Sequence, residues 1–408
     1  MEYVILGNSA AAVGCIEGIR SVDREGSITV VASEPYHTYS RPLISYLLEG
    51  KTDLERMKYR PDSYYEEMGV KTRLGVRAAA LQPGEHKVVL EGGEELSYDK
   101  LLVATGSTPF VPPLEGLDMV EKQFTFLSLD DGKKLEAALT PESRVFILGA
   151  GLIGLKCAEG IARRVRSVEV ADLANQVLPS ILDEEGAKRV QAHLEKQGLT
   201  FHLGDTVARF SGNTATLQSG ASVNFDVLVL AVGVRPNVSL VQDAGGRVER
   251  GVVIDSTGLT TLPDVYAAGD CCQSYDSTSG ENKVLALLPN AYFQGECAGK
   301  TMAGEASSFT RAMPMNAIGF FGLHLITAGS YRGEKLVEED GKNYKAFFVE
   351  DGLLKGYILL GDCLENAGIY TALIREQTPL NTVDFSLLRE HPQFMAFSQA
   401  KRREMFGR

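Results

Sequence analysis

The chain has 408 residues, 44% apolar and 23% charged, which suits two to four folded domains at roughly 100–200 residues each and excludes a disordered or low-complexity chain. A formal net charge of −12 repels phosphate backbones and excludes a general binder of nucleic acid or anionic membrane. No apolar run approaches the ~20 residues of a bilayer span, and the opening Met1-Glu2-Tyr3-Val4-Ile5-Leu6-Gly7 has no basic leader, so a cytoplasmic chain is expected.

Two stretches share one pattern. The first predicts a strand over Tyr3–Leu6, the turn Gly7-Asn8-Ser9-Ala10-Ala11-Ala12, a helix to about Arg20, and a second strand from Ser27 running to the acidic Glu34. The second predicts a strand over Arg144–Leu148, the turn Gly149-Ala150-Gly151-Leu152-Ile153-Gly154, a helix to about Arg164, and a strand from Ser167 ending at Asp172. Each is a β-α-β unit of the kind that holds a dinucleotide. The first glycine permits the tight turn, the second lets backbone approach a pyrophosphate, and the third lets helix and strand pack closely. The phosphates then meet free N–H groups at the positive helix end. The acid closing the second strand accepts hydrogen bonds from a ribose diol.

The second copy fits throughout, with Asp172 following Gly149 by 23 residues. The first copy has Ser9 and Ala12 in place of its second and third glycines, both small enough for the role, and Glu34 follows Gly7 by 27 residues.

Further repeats flank these units. Tyr98-Asp99-Lys100-Leu101-Leu102-Val103-Ala104-Thr105-Gly106 parallels Phe225-Asp226-Val227-Leu228-Val229-Leu230-Ala231-Val232-Gly233. Each is a buried strand that returns the chain toward the dinucleotide. The short run Val265-Tyr266-Ala267-Ala268-Gly269-Asp270 ends in a carboxylate at a strand C-terminus, where ligands of α/β sheets bind. The proline-rich Pro109-Phe110-Val111-Pro112-Pro113 reads as a crossing between domains.

The six cysteines, Cys15, Cys157, Cys271, Cys272, Cys297 and Cys363, contain no C-x-x-C and no zinc or iron–sulfur spacing. They read as buried or loop thiols, with a redox thiol at Cys271 or Cys272 as the alternative. His37, His86, His193, His202, His324 and His391 form no close pair, so no metal site is expected.

Together these motifs resemble the pyridine nucleotide–disulfide oxidoreductase superfamily over residues 1 to about 330. The resemblance implies an α/β fold with two Rossmann-like domains: a discontinuous FAD domain of residues 1–112 and 240–311, and an inserted NAD domain of residues 113–239. Residues 312–408 would form a small α+β C-terminal domain, in which the runs 344–350 and 353–360 suggest an antiparallel sheet. FAD would lie on Gly7, Ser9, Ala10 and Ala12, with Glu34 on its adenosine ribose and Asp270 on its ribityl chain. Arg41, Pro42, Val76, Thr105, Gly106, Gly269 and Leu288 would complete its surroundings. NADH would lie on Gly149, Gly151 and Gly154, with Asp172 on its ribose, Leu152 and Ile153 as an apolar floor under the nicotinamide, and Gly233 nearby. Asp172, followed by Leu173 and Ala174 with no arginine, favours NADH over NADPH.

Disulfide reductases of the superfamily carry a redox cysteine pair in the segment corresponding to Glu34–Ser45, whereas no cysteine falls between Cys15 and Cys157 here. Tyr39-Ser40-Arg41-Pro42-Leu43 resembles instead the NADH:rubredoxin reductases, ferredoxin-type reductases and the flavin domain of nitrite reductases. An NADH-dependent flavoprotein feeding a small iron or iron–sulfur carrier such as rubredoxin is therefore expected. An NADH oxidase or diaphorase, a flavoprotein subunit of a multi-component reductase, and a non-enzymatic FAD scaffold are the alternatives. No catalytic acid or base is required. Relatives pair a Glu and a Lys beside the flavin where this chain has Lys156 and Tyr46, so Lys156 is expected either as a cation beside the flavin or as a solvated lysine. Relatives also place a Trp where Leu288 stands, leaving Phe320 or Phe321 either to cover that edge or, as the favoured reading, to pack in the core. Basic clusters at Lys401-Arg402-Arg403 and at Arg163, Arg164 and Arg166 are candidate docking patches or plain solvated faces.

Overall fold

The computed structural model describes residues 1–406; Gly407 and Arg408, the end of the expected C-terminal domain, lie outside the described residues. Two five-stranded parallel sheets and a five-stranded antiparallel sheet organise the chain, with smaller two- and three-stranded antiparallel sheets beside them. The first begins with β1 (Glu2–Leu6), buried on both faces after its first residue, then α1 (Ala10–Val22) and β2 (Ser27–Ala32). A 3-10 turn at Arg41–Leu43 leads into the short helix α2 (Ile44–Leu48). With β3 (Val70–Leu74), β4 (Lys100–Val103) and a late strand, β10 (Val265–Ala267), the order is β10, β4, β1, β2, β3, all parallel. The helix at Leu288–Met302 packs along α1, placing residues far apart in sequence on one side of this sheet.

The second sheet repeats the plan with β5 (Gln123–Thr125), α3 (Leu129–Ala138), β6 (Arg144–Leu148), α4 (Leu152–Ile161), β7 (Ser167–Asp172), α5 (Glu184–Lys196), β8 (Leu199–Leu203) and β9 (Val227–Leu230). Its order is β8, β7, β6, β9, β5, again parallel throughout. Helix α4 stops at Ile161, three residues before the expected end, and residues 162–164 form a turn.

The chain passes between the two parallel sheets twice. The outgoing Ser107–Pro109 and the returning Val234–Pro236 pair antiparallel. The prolines expected to interrupt structure thus close a two-stranded ribbon, in which Pro109 and Pro236 sit at the edge positions proline tolerates.

The last sheet is antiparallel. It runs β11 (Met315–Phe320), β12 (Leu323–Gly329), then β15 (Leu353–Leu360), β14 (Tyr344–Glu350) and β13 (Glu334–Glu339), so the two expected strands sit at its centre and edge-side. One face packs on the second parallel sheet, contributing Phe320, Leu325, Tyr344 and Phe348 to a core shared with Ile44, Leu48, Leu155 and Ile161. Among the described residues, no helix is long and apolar enough to cross a membrane.

One surface pair ties the second sheet to its connecting turn. Asp226 accepts from the Arg144 backbone N–H at 2.8 Å, from its Nε at 3.0 Å and from Nη2 at 2.9 Å. These bonds, the Arg144 side chain first, hold the Asp226 carboxyl down at about 2. A depressed carboxyl stabilises the fold above its unfolded pKa and loses that contribution as pH falls through its folded value. Asp226→Asn should therefore lower the melting temperature at pH 7 by the equivalent of about 1 kcal/mol, solvent exposure included. The gap to wild type should shrink below pH 4 and close near pH 2; thermal denaturation across that range reads it.

Candidate functional site

At each glycine turn a neighbouring strand's carbonyl occupies the space a side chain would need. Gly7 has φ +128°, and a Cβ there would lie 2.1 Å from the Ala104 oxygen. Gly149 has φ +113°, with a Cβ 2.2 Å from the Ala231 oxygen. Both are closed to any L side chain. In each turn the following helix begins immediately, so its first backbone N–H groups face outward with no intrahelical partner.

A cavity of about 540 Å³ opens from the first turn. Its lining includes Gly7, Ser9 and Ala10 of the turn, Glu34, Arg41 and Val76 from the chain around β2, and Thr105, Gly106, Gly269, Asp270 and Leu288 from later segments. The volume lies within the range of small-molecule and cofactor sites, and the free helix end at Ser9–Ala11 suits a pyrophosphate. The cavity therefore fits the FAD that the resemblance implies.

The loop from Glu34 to Arg41 supplies much of the charge. Glu34 accepts from the Arg41 guanidinium at 2.5 Å and from the Tyr39 hydroxyl at 2.5 Å, one oxygen each, and keeps lone pairs on both for a ribose hydroxyl. The same loop grips the second unit: Tyr36 donates to Asp130 at 2.5 Å, the Leu129 N–H donates to the Tyr39 hydroxyl at 3.0 Å, and Arg41 donates to the Leu127 carbonyl at 3.3 Å. No helix begins directly after Asp270, so it is free of a capping role. Burial pushes its carboxyl above the usual range, against the Arg41 charge and the Ser107 hydroxyl. The Gly269 N–H donates to the buried Gln294 amide oxygen at 2.9 Å, which holds this loop in place.

Several expected contacts are corrected. Ala12 is fully buried and forms no part of the cavity wall; its small side chain serves helix–strand packing. Pro42 starts the turn into α2 and is exposed, off the cavity lining. Phe320 is buried in the shared core and Phe321 lies at the β11–β12 turn, so neither lines the cavity; Leu288 does. Lys156 is neither solvated nor a lone cation, since its ammonium is ion-paired with the buried Glu159. Cys271 and Cys272 are buried, their S–H groups donating to the carbonyls of Val103, Ala268 and Gly269, which leaves no accessible redox thiol there. In the basic clusters, Arg164 bonds Glu136 and the Leu48 carbonyl, and Lys401 faces Glu376.

Other lining residues escaped the sequence reading: Asn8, Tyr36, Tyr39, Ser107, Asn237 and Asp243. Asn237 links the two repeats, its side chain donating to the Thr105 carbonyl at 2.8 Å while the Thr105 hydroxyl donates to the Asn237 carbonyl at 3.0 Å. Its position just after the Val234-Arg235-Pro236 return was the available signal.

At the second turn, Asp172 accepts from the Ala150 N–H at 2.7 Å and the Ala174 N–H at 2.8 Å. The carboxylate thus holds the glycine loop and keeps lone pairs toward the ribose position. Leu173 beside it is 71% exposed and no cation stands in its place. Gly151, Leu152 and Ile153 are half-buried around the opening of α4, Gly154 is buried beneath it, and Gly233 is exposed on the loop after β9.

The two turns should be separable by mutation. Gly7→Ala is expected to yield protein lacking flavin absorbance. Gly149→Ala should keep flavin and lose NADH affinity by about ten- to a hundred-fold, the cost of forcing a methyl into packed backbone. Absorption spectra and NADH titration of both variants check this.

A family model described as pyridine nucleotide-disulphide oxidoreductase matches residues 1–295. The NADH-dependent phenylglyoxylate dehydrogenase subunit epsilon of Aromatoleum evansii is 31% identical, over 93% of this chain and 92% of its own length. A rubredoxin-NAD(+) reductase of Alcanivorax borkumensis is 29% identical, over 89% of this chain and 95% of its own. A solved covalent putidaredoxin reductase–putidaredoxin complex shares the fold, with a TM-score of 0.87 at 22% identity and 95% coverage of each chain. With a family model spanning most of its length and both glycine turns built as that family needs them, the chain belongs to the pyridine nucleotide-disulphide oxidoreductases.

Proposed function

We propose that this chain is an FAD-dependent NADH oxidoreductase that delivers electrons to a small iron or iron–sulfur carrier protein. The observation that carries the reading is the wall of the cavity, which contains no cysteine, while Cys271 and Cys272 are buried behind it. Electrons leaving this site have no thiol relay within reach. The relative named rubredoxin-NAD(+) reductase, matched over nearly its whole length, supports the carrier class. Bound FAD supplies the step between a two-electron donor and one-electron acceptors. In balance, one NADH and two oxidised carriers give NAD⁺, two reduced carriers and a proton.

The chain's own residues bind and orient. The α1 end and Gly7–Ala10 take the FAD pyrophosphate, Glu34 its adenosine ribose, and Asp270 its ribityl hydroxyls. The second turn takes the NADH pyrophosphate, Asp172 its ribose, and Leu152 with Ile153 the nicotinamide face. In this reading the FAD unit comprises residues 1–112 and 240–311, the NAD unit residues 113–239, and the C-terminal unit the residues from 312 onward. Six unbridged cysteines accord with work in the cytoplasm.

A second reading, a flavoprotein subunit of a larger reductase, is favoured by the relative named as a dehydrogenase subunit, matched over 92% of its length.

Anoxic assays separate these. Rapid reduction of rubredoxin or ferricyanide by NADH, with slow turnover on oxygen alone, is expected; fast oxygen turnover defeats the carrier reading. Activity that appears only with added subunits favours the second. For the donor, kcat/KM should favour NADH over NADPH by about a hundred-fold or more, since Asp172 meets a 2′-phosphate as a like charge. Asp172→Ala should narrow that preference, and steady-state kinetics with both donors measures it.

A further inference from the structure

Three units of the chain meet around Lys156. Its ammonium is ion-paired with Glu159 one turn along α4, stands over the Tyr46 ring of α2 at 4.5 Å from the ring centre, and donates to the Gly319 carbonyl of β11 at 3.2 Å. The Lys156 and Glu159 side chains are only 14% and 6% exposed. The other Glu159 oxygen accepts the Phe321 N–H at 2.6 Å, holding the β11–β12 turn where Phe321 has φ +48°. The His193 ring on α5 bonds the Phe320 carbonyl at 3.1 Å. Beside this cluster α2 and α4 are in close contact, since a Cβ on Gly160 would lie 2.9 Å from the Ser45 oxygen.

A buried ion pair gives little stability over an apolar pair of equal volume, so its presence here calls for another role. Lys156 stands one turn after Leu152 and Ile153, the residues that open α4, and α2 continues from Arg41, which lines the cavity. The pair therefore stands where α4, which opens at the second glycine turn, meets α2, which continues from the cavity wall. Because Glu159 neutralises it, it acts through placement rather than through a net charge.

We propose that Lys156 is a positioning residue: with Glu159 and Tyr46 it latches the start of α4 to α2 and to the C-terminal sheet, and so sets the approach of the nicotinamide to the flavin. This rests on the NADH:flavin reading above.

The test uses the full, FAD-loaded chain. The double variant Lys156→Met/Glu159→Gln removes both charges yet leaves an acceptor for Phe321. Its limiting rate of flavin reduction by NADH should fall about ten-fold or more, as small misplacements of reacting groups do, with FAD content and flavin midpoint potential unchanged. Lys156→Arg, which keeps a cation over the Tyr46 ring, should restore most of the rate. A wild-type rate in the double variant, or a slowed rate that follows a shifted potential, overturns the proposal. If the double variant does not retain FAD, Tyr46→Leu is read instead, with the same slowing expected and a wild-type rate again overturning it. If NADH fails to reduce the wild-type flavin, the functional reading falls, and amide exchange decides the latch. Exchange at Phe321 and residues 44–48 should quicken in the double variant, and unchanged exchange removes the latch as well.

Discussion

Everything at the site depends on two backbone collisions that are avoided. At Gly7 and at Gly149 the carbonyl of a neighbouring strand fills the place of a side chain. Only there can the chain leave a buried strand, turn at once, and present the open end of a helix. The rest follows from doing this twice. Each turn lies at the C-terminal edge of a parallel sheet, where crevices form, and the second parallel sheet is threaded into the first through the paired segments Ser107–Pro109 and Val234–Pro236.

What joins the two halves is more polar than their interiors. The loop Glu34–Arg41 lines the cavity with Glu34, Tyr36, Tyr39 and Arg41, and with three of these side chains it grips the start of α3 and Leu127 just ahead of it. The N-terminus of α3 is itself closed by a capping box between Ser128 and Asp131. The wall of one dinucleotide site is therefore built partly on the frame of the other. The antiparallel sheet adds a third party, through Phe320, Leu325, Tyr344 and Phe348, to the core beneath α2 and α4.

The parts of this architecture that repeat were legible in the sequence. Both glycine turns, their strands and the acids at Glu34 and Asp172 follow local rules, because each needs particular residues at fixed spacing. Contacts made across units were not. Nothing in the order of residues shows that Arg41 closes on Glu34 or that Asn237 clasps Thr105. Lys156 was the clearest case. Its departure from the usual residue was visible, but its partner Glu159 lies three residues on, a spacing common on any helix. Only the burial imposed by the C-terminal sheet distinguishes that pair from a surface one.

The ribbon between the parallel sheets carries one further consequence. The Phe110 N–H donates to the Gly233 carbonyl at 2.9 Å, so the stretch between them leaves and re-enters the surrounding unit at adjacent points. An insertion whose ends touch asks the surrounding sheet to search no wider space than a tight hairpin would once the inserted part has formed. Assembly order then has a natural direction: the inner α/β unit, contiguous in the chain, can consolidate first, and β4 and Val265–Ala267 are brought together by it as neighbours rather than as distant strangers.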